Sequence, residues 1–258
     1  MKNMSGNNVT MIDESAEILI NRLIARDTYR MEIKCEMSKR LRPGQFVNAE
    51  VEGYTLRRPI SVSSYDPEKG VLVLLYKVLG EGTAKMAKMK PGEILRILGP
   101  LGNGFPIEEG TSALLLGGGA GVGPLIQTAK ALSETMKTVT VALGFPTKEE
   151  VYGLEDFEAL GIEPRLSTDD GTLGFHGNVL QLVESEKLQG EVVYACGPKR
   201  MLKGVEDAFE RGYISLDVRM ACGMGACMAC VCKDKKEEGR YHRVCKEGPV
   251  FPIGSVVY

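Results

Sequence analysis

The sequence predicts a β barrel joined to an α/β domain with a doubly wound parallel sheet, closed by a small cysteine module. Three observations predict it. Short apolar or alternating runs separated by turn signals fill residues 16–106. Strand patterns then alternate with helical ones to about residue 213. Four cysteines, Cys222, Cys227, Cys230 and Cys245, follow in a Cys-x4-Cys-x2-Cys-x14-Cys spacing. The division expected is 1–106, 107–213 and 214–258.

The barrel strands are read from AEILINRLIA, YRMEIKCEM, QFVNAEV, ISVSSY, GVLVLLYKVL and EILRILGP. Arg42-Pro43-Gly44, Asp66-Pro67, Lys69-Gly70 and Pro91-Gly92 supply turns between them. One helix is expected at Thr83–Met89, stopping before Pro91.

In the second domain SALLLGGG reads as a buried strand entering a glycine turn, and PLIQTAKALSETM as an amphipathic helix. VTVALGF is the next strand and KEEVYGLEDFEAL the next helix. EPRLSTDD, NVLQLVESEKL, EVVYACGP and KRMLKGVEDAFERG continue the alternation.

The 258 residues are 43% hydrophobic and 26% charged, with a net charge of -2. That composition is ordinary for a globular protein and gives no reason to expect nucleic acid or an anionic membrane as partner. The first residues, MKNMSGNNVTMIDES, lack an apolar signal core. No run reaches the ~18–20 apolar residues of a membrane span. A reducing, cytoplasmic location is expected, where free thiols serve as metal ligands.

The cysteine spacing is that of plant-type [2Fe–2S] ferredoxins. Each iron of such a cluster takes two thiolates, and the loop around it must turn sharply with amides pointing inward. Gly223 and Gly225 permit the turns, and Ala221, Ala226 and Ala229 leave room. The charged stretch Lys233–Arg243 reads as a hairpin or loop returning the fourth ligand. Cys232 competes with Cys230 for the third place, and Cys230 fits the recurring spacing. A four-cysteine zinc site, making the chain a non-catalytic binding module, is the competing use. Disulfides suit neither the odd count of seven cysteines nor the compartment.

Three further segments are candidate sites. Arg58-Pro59-Ile60-Ser61 puts an arginine on a barrel strand, where it can pair with a pyrophosphate, and Ser61 within reach of a flavin nitrogen. Gly82 opens the expected helix, so its amide is placed for a phosphate. An exposed strand arginine is the plain alternative. In LLLGGGAGVGPL, Gly117, Gly118, Gly119, Gly121 and Gly123 follow a strand and precede a helix. That context suits a nucleotide pyrophosphate, though the spacing departs from GxGxxG and a packing turn is the alternative. Cys196-Gly197-Pro198 ends a parallel strand, where ligands bind in such sheets. Cys196 is placed either to contact a nicotinamide or to serve as a small buried hydrophobe.

RPIS, then GGGAGVGP, then ACGP resembles the ferredoxin–NADP reductase superfamily, which has a flavin barrel first and a nicotinamide domain second. With MACGMGACMACVC and the returning VCKEGPVF, the whole chain resembles electron-transfer subunits of NAD-dependent (type B) dihydroorotate dehydrogenases. The resemblance implies FAD held by Arg58, Pro59, Ile60, Ser61, Leu75, Tyr76, Lys77, Gly82 and Thr83. It implies a [2Fe–2S] cluster on Cys222, Cys227, Cys230 and Cys245. It implies a nicotinamide nucleotide facing Gly117 through Gly123 and Cys196 through Pro198. It further implies an FMN-containing catalytic partner in a two-plus-two heterotetramer, working in pyrimidine biosynthesis. The aromatic C-terminal residue that covers the flavin in simpler members has no clear counterpart. Adaptor subunits of hydrogenases, sulfite reductases and ferredoxin–NADP oxidoreductases fit the same motifs.

NAD is expected over NADP because the stretch after the third strand is Ser167-Thr168-Asp169-Asp170-Gly171. A carboxylate such as Asp169 repels a 2′-phosphate and accepts a ribose hydroxyl. A tight turn is the alternative. His176 and His242 lack a partner motif and read as loop histidines. Cys35 reads as core.

Overall fold

The computed structural model describes residues 10–258, so most of the polar opening segment lies outside the described residues. Six antiparallel strands close a barrel: β1 (Ile12–Ala25), β2 (Thr28–Lys34), β3 (Phe46–Ala49), β4 (Arg58–Asp66), β5 (Val71–Lys77) and β6 (Ile94–Leu101). They run in the order β1-β2-β5-β4-β3-β6. Strand alternation decides which residues fill it. Val47 and Ala49 point into a core shared with Ile60, Val62, Leu72 and Leu74. Phe46 and Asn48, between and beside them, point outward. The helix expected at Thr83–Met89 is α1, Glu81–Met86. It starts earlier because the Thr83 hydroxyl accepts the Leu79 and Gly80 amides at 3.0 and 3.3 Å, fixing the first turn around Gly80.

The parallel sheet contains β7 (Gly110–Gly118), β8 (Met136–Phe145), β9 (Arg165–Thr168), β10 (Phe175–His176), β11 (Val192–Cys196) and β12 (Gly212–Ser215). Along β7, Leu114 and Leu116 face one side and Ala113 and Leu115 the other. Burial on both faces explains the continuous apolar run. Each leucine so buried contributes about 1.5–3 kcal/mol relative to exposure. The helices α2 (Gly123–Ser133) and α3 (Leu154–Glu158) cover one face. The other face is covered by α4 (Val179–Ser185) and α5 (Lys199–Ala208).

The helix read at 148–160 is a 3-10 turn at Lys148–Glu150 followed by α3, because Gly153 takes φ +81° and breaks the helical path. The cysteine segment, residues 214–258, carries short strands. Its strands are β13 (Val231–Asp234), β14 (Tyr241–Arg243), β15 (Val250–Pro252) and β16 (Val256–Val257). Of these, β15 joins the large sheet as an antiparallel edge beside β12, giving the order β10-β9-β8-β7-β11-β12-β15. The charged stretch is the β13–β14 hairpin. His176 and His242 lie in short strands rather than loops. Cys35 is 5% exposed and belongs to the barrel core.

The barrel and sheet meet through α2. Ser63 Oγ donates to the Gly123 carbonyl at 3.1 Å, and the Tyr65 amide donates to Gln127 Oε1 at 3.2 Å. Both bonds pin the glycine turn beside β4. No helix among the described residues is long and apolar enough to cross a membrane.

Candidate functional site

The order of the parallel sheet reverses at β7: β8 lies on one side and β11 on the other. Ligands bind such sheets outside the strand ends at that reversal. Here the crevice opens toward the barrel. A cavity of about 380 Å³ lies between them, lined on the barrel side by Arg58–Ser61, Leu75–Lys77 and Thr83, and opposite by Gly118–Gly121 and Cys196–Lys199. A second hollow of about 680 Å³ runs from Tyr54–Pro59 to Asp217–Met220. Arg58, Pro59, Leu79 and Asp217 border both, so the two are continuous.

Arg58 stands at their junction. Its guanidinium lies 4.4 Å over the Tyr54 ring and donates to the Leu56 carbonyl. Among the described residues no carboxylate pairs with it. Gly82 makes room for it, since a Cβ there would sit 2.2 Å from Arg58 Nε. A cation held in place without a counter-ion suits a pyrophosphate. Leu56 and Leu79, 50% and 82% exposed, leave apolar surface on the same rim for a flat ring. Ser61 is exposed toward the cleft. Tyr76 turns its ring into the barrel and donates from Oη to Asn21 Oδ1 at 3.0 Å, so it offers the cleft its main chain. Lys77 crosses the cleft to pair with Glu150.

The five glycines divide. Gly118, Gly119 and Gly121 line the cleft. Gly121 packs flat on the end of β11, where an added Cβ would lie 2.1 Å from the Cys196 carbonyl oxygen. Gly117 and Gly123 are not among the residues that line the cleft. A Cβ on Gly117 would press on Leu143, Val122 and Leu125, and Gly123 faces Leu75 and Ser63 of the barrel. Both are packing glycines. Tyr152 Oη donates to the Gly119 carbonyl at 2.9 Å and braces the turn. The Cys196 thiol is 5% exposed, and burial pushes it up to about 12, so it stays protonated at neutral pH. Asp169 lies just past β9 with its carboxylate unbonded among the described residues. The Asp170 carboxylate is held in the turn by Thr172 Oγ1 at 2.6 Å.

The cysteines of the C-terminal loop form two pairs. The Cys222 amide donates to Cys227 Sγ at 3.5 Å, and the Ala226 amide to Cys222 Sγ at 3.3 Å. The Cys245 amide donates to Cys230 Sγ at 3.4 Å. Gly223, Gly225 and Met228 take φ of +67°, +86° and +58°, which turns this loop tightly enough to bring amides to sulfur. Among the described residues, no three metal-ligating side chains converge on one ion. Two thiol pairs suit a cluster with two thiolates on each of two irons. Cys230 and Cys245 are buried and Cys227 is exposed, so one pair is inner and the other faces solvent. Cys232 stands apart. Its thiol donates to the His242 carbonyl at 3.7 Å, and burial raises it to about 11.

Sequence reasoning missed several contacts. His242 Nε2 bonds Asp234 Oδ2 at 2.8 Å across the hairpin. Tyr54, Leu79, Tyr152 and Asp217–Met220 line the cleft. Asn48, pointing outward from β3, donates to the Cys222 carbonyl. Each is an isolated residue whose spacing carries no motif.

Two family models match the chain: an oxidoreductase FAD-binding domain over residues 15–105, and the iron–sulfur cluster binding domain of dihydroorotate dehydrogenase B over residues 217–257. A dihydroorotate dehydrogenase B (NAD(+)) electron transfer subunit of Bacillus caldolyticus is 43% identical over 253 residues, covering 95% of this chain and 98% of the relative. Its counterpart in Fusobacterium nucleatum is 42% identical over 255 residues, covering 94% and 98%. A solved chain of an NADH-dependent reduced ferredoxin–NADP oxidoreductase superposes with a TM-score of 0.85 at 30% identity, covering 99% of this chain and 92% of that one. Near-complete coverage at these identities extends the likeness from the separate segments to their order and spacing, and the chain belongs to the family of dihydroorotate dehydrogenase B (NAD(+)) electron transfer subunits.

Proposed function

We propose that this chain passes electrons between NAD and an FMN-containing catalytic partner that oxidises dihydroorotate in pyrimidine biosynthesis. The observation that carries the reading is the continuity of the two hollows, with the chain between β12 and the cysteine loop forming one wall. A flavin nucleotide lying in that cleft is therefore next to the cluster loop on one side and the nicotinamide crevice on the other. When bound, FAD exchanges a hydride, two electrons with one proton, with the nicotinamide, while a [2Fe–2S] cluster carries electrons singly.

The residues present supply binding and orientation. Arg58 holds the pyrophosphate of FAD, with Gly82 and Thr83 beside it. Pro59 through Ser61 and Leu75 through Lys77 present main chain and the Ser61 hydroxyl to the flavin. Gly118, Gly119 and Gly121 bring bare backbone to the dinucleotide, and Cys196, Gly197 and Pro198 close the crevice around the nicotinamide. The protonated Cys196 thiol offers an uncharged contact there. Asp169, just past β9, would favour NAD over NADP by repelling a 2′-phosphate. Cys222 and Cys227 would hold one iron of a [2Fe–2S] cluster, and Cys230 and Cys245 the other. Met224 and Met228, 42% and 52% exposed, flank the outer pair and give the partner an adaptable apolar surface beside the cluster. Residues 1–106, 107–213 and 214–258 divide this work as FAD, NAD and cluster segments. The assembly proposed is cytoplasmic, with two copies of each subunit.

The likeness to the ferredoxin–NADP oxidoreductase chain favours a second reading, in which the external partner is a ferredoxin-linked subunit. Anaerobic capture of the tagged chain from its host separates them. The first reading predicts an FMN-bearing partner in equal amount, and a complex whose mass fits two of each. Capture of a ferredoxin-linked partner without FMN would move the assignment to the second.

A further inference from the structure

Asn48 is 1% exposed and faces outward from β3. Its direct neighbour on β4 is Pro59, and Phe46 pairs with Ser61. Opposed residues of an antiparallel pair share a face, so Asn48 lies on the face that carries Pro59 and Ser61. From there its Nδ2 donates to the carbonyl oxygen of Cys222 at 3.0 Å. The amide orientation follows from that contact, since a flipped Asn48 would set two acceptors together. Gly223, with φ +67°, lies flat against the same amide. A Cβ on Gly223 would be 2.2 Å from Asn48 Nδ2.

The other half of the amide is bare. Asn48 Oδ1 is buried with no hydrogen-bond partner among the described residues. A buried, half-satisfied amide is a net cost to the fold, and a small apolar side chain would avoid it. The use of Asn48 is therefore the bond it makes to Cys222. A second asparagine ties the other end of the cysteine loop. Exposed Asn103, just past β6, donates from Nδ2 to the Lys246 and Glu247 carbonyls at 3.2 and 3.0 Å, next to Cys245. The barrel thus grips the loop at both ends, and only the Asn48 grip is buried beside the Pro59–Ser61 wall.

We propose that Asn48 is a positioning residue that sets the Cys222–Cys227 half of the loop against the Pro59–Ser61 wall and so governs electron passage between flavin and cluster. This rests on the FAD and cluster reading given above, and it adds no chemical step. Groups that orient metal ligands from behind change affinity or rate by about 10–100-fold when removed. Loss of the Asn48 amide leaves NADH reaching the flavin as before, because that crevice lies on the sheet side. It slows the later step and alters the surroundings of the iron on Cys222 and Cys227.

The test compares wild type, Asn48→Ala, Gly223→Ala and the double variant, each purified anaerobically with cofactors. Stopped-flow absorbance separates flavin reduction by NADH from cluster reduction, and EPR records the reduced cluster. Expected for Asn48→Ala are an unchanged first phase, a second phase slowed about tenfold or more and an altered EPR line shape. Gly223→Ala alone produces the same defect from the loop side. In the double variant the clash of Gly223→Ala is gone with the atoms it strikes, and only the cost of a left-handed alanine remains, so the two changes add less than fully. A wild-type second phase and line shape in Asn48→Ala would overturn the proposal. So would full additivity of the two changes. If Asn48→Ala does not fold, Gly223→Ala decides by the same readings. Wild-type protein lacking FAD or a cluster signal would overturn the functional reading and this proposal together, which distinguishes that failure from an inert Asn48.

Discussion

Gly121→Ala tests the crevice at the sheet reversal directly. The added Cβ would lie 2.1 Å from the Cys196 oxygen, 2.3 Å from its carbonyl carbon and 2.6 Å from the Gly197 amide nitrogen. All three atoms are main chain, so no rotamer change relieves the overlap. The turn and the end of β11 must part by more than ~1 Å to reach ordinary contact. Overpacking of this kind costs about 1–3 kcal/mol, which lowers the melting midpoint by about 2–12 °C in a chain of this size. A misplacement of about 1 Å also costs up to ~100-fold in a step that depends on alignment, so kcat/KM for NADH falls by that order. Gly190→Ala is the control. Its Cβ would lie 2.6 Å from the Leu114 amide nitrogen, at the opposite end of the same two strands. It should lower the midpoint comparably and leave the NADH kinetics of the folded fraction unchanged. The assays are thermal melting and flavin reduction at varied NADH. Wild-type NADH kinetics in Gly121→Ala, or an equal kinetic loss in Gly190→Ala, would show that the Gly121 contact does not shape the nicotinamide crevice.

Four other outcomes follow from the geometry. Cys222→Ser and Cys245→Ser each remove the native EPR signal of the cluster while FAD stays bound; Cys232→Ser keeps the signal, and iron and flavin content with EPR checks all three. Arg58→Gln loses a charge-assisted contact worth about 1.5–3 kcal/mol, so the FAD dissociation constant rises by about 10–100-fold in a flavin titration. Asp169→Asn removes the like charge facing a 2′-phosphate, and the ratio of kcat/KM for NADPH to that for NADH rises about tenfold or more. Asp234 is held down at about 2 by the His242 side chain and by the Lys236 and Glu237 amides. The stability from that bond is complete above the free value of 3.8 and is lost as pH falls through about 2. The melting gap between wild type and Asp234→Asn should therefore persist above that range and close within it.

Features set by short-range spacing were legible in the sequence. The cysteine run predicts a tight loop because Gly223 and Gly225 permit sharp turns between closely spaced thiols. The step from LLLGGG to PLIQTAK reads as strand, turn and helix, because each piece carries its own period. What escaped depends on contacts distant in sequence. Nothing local says that Gly121 faces Cys196 while Gly117 packs on Leu143, since both are glycines in one run. The bond from Asn48 to Cys222 spans 174 residues. The return of β15 to the sheet edge was hidden because a three-residue strand carries almost no period. Gly153 was absorbed into a helical pattern that the apolar spacing around it supports, and only its left-handed backbone reveals the break. The pairing of Cys222 with Cys227 and of Cys230 with Cys245 needed coordinates, because the spacing alone allows other divisions.

Turnover in the reconstituted complex shows whether electrons pass from dihydroorotate through this chain to NAD. The purified chain is mixed anaerobically with the FMN-containing catalytic subunit from the same host, and NADH formation is followed on adding dihydroorotate and NAD. Dihydroorotate-dependent NADH formation should need both subunits and disappear with Cys222→Ser. NADH formation undiminished in Cys222→Ser, or a chain that oxidises NADH yet gives none with dihydroorotate and its partner, would contradict that route.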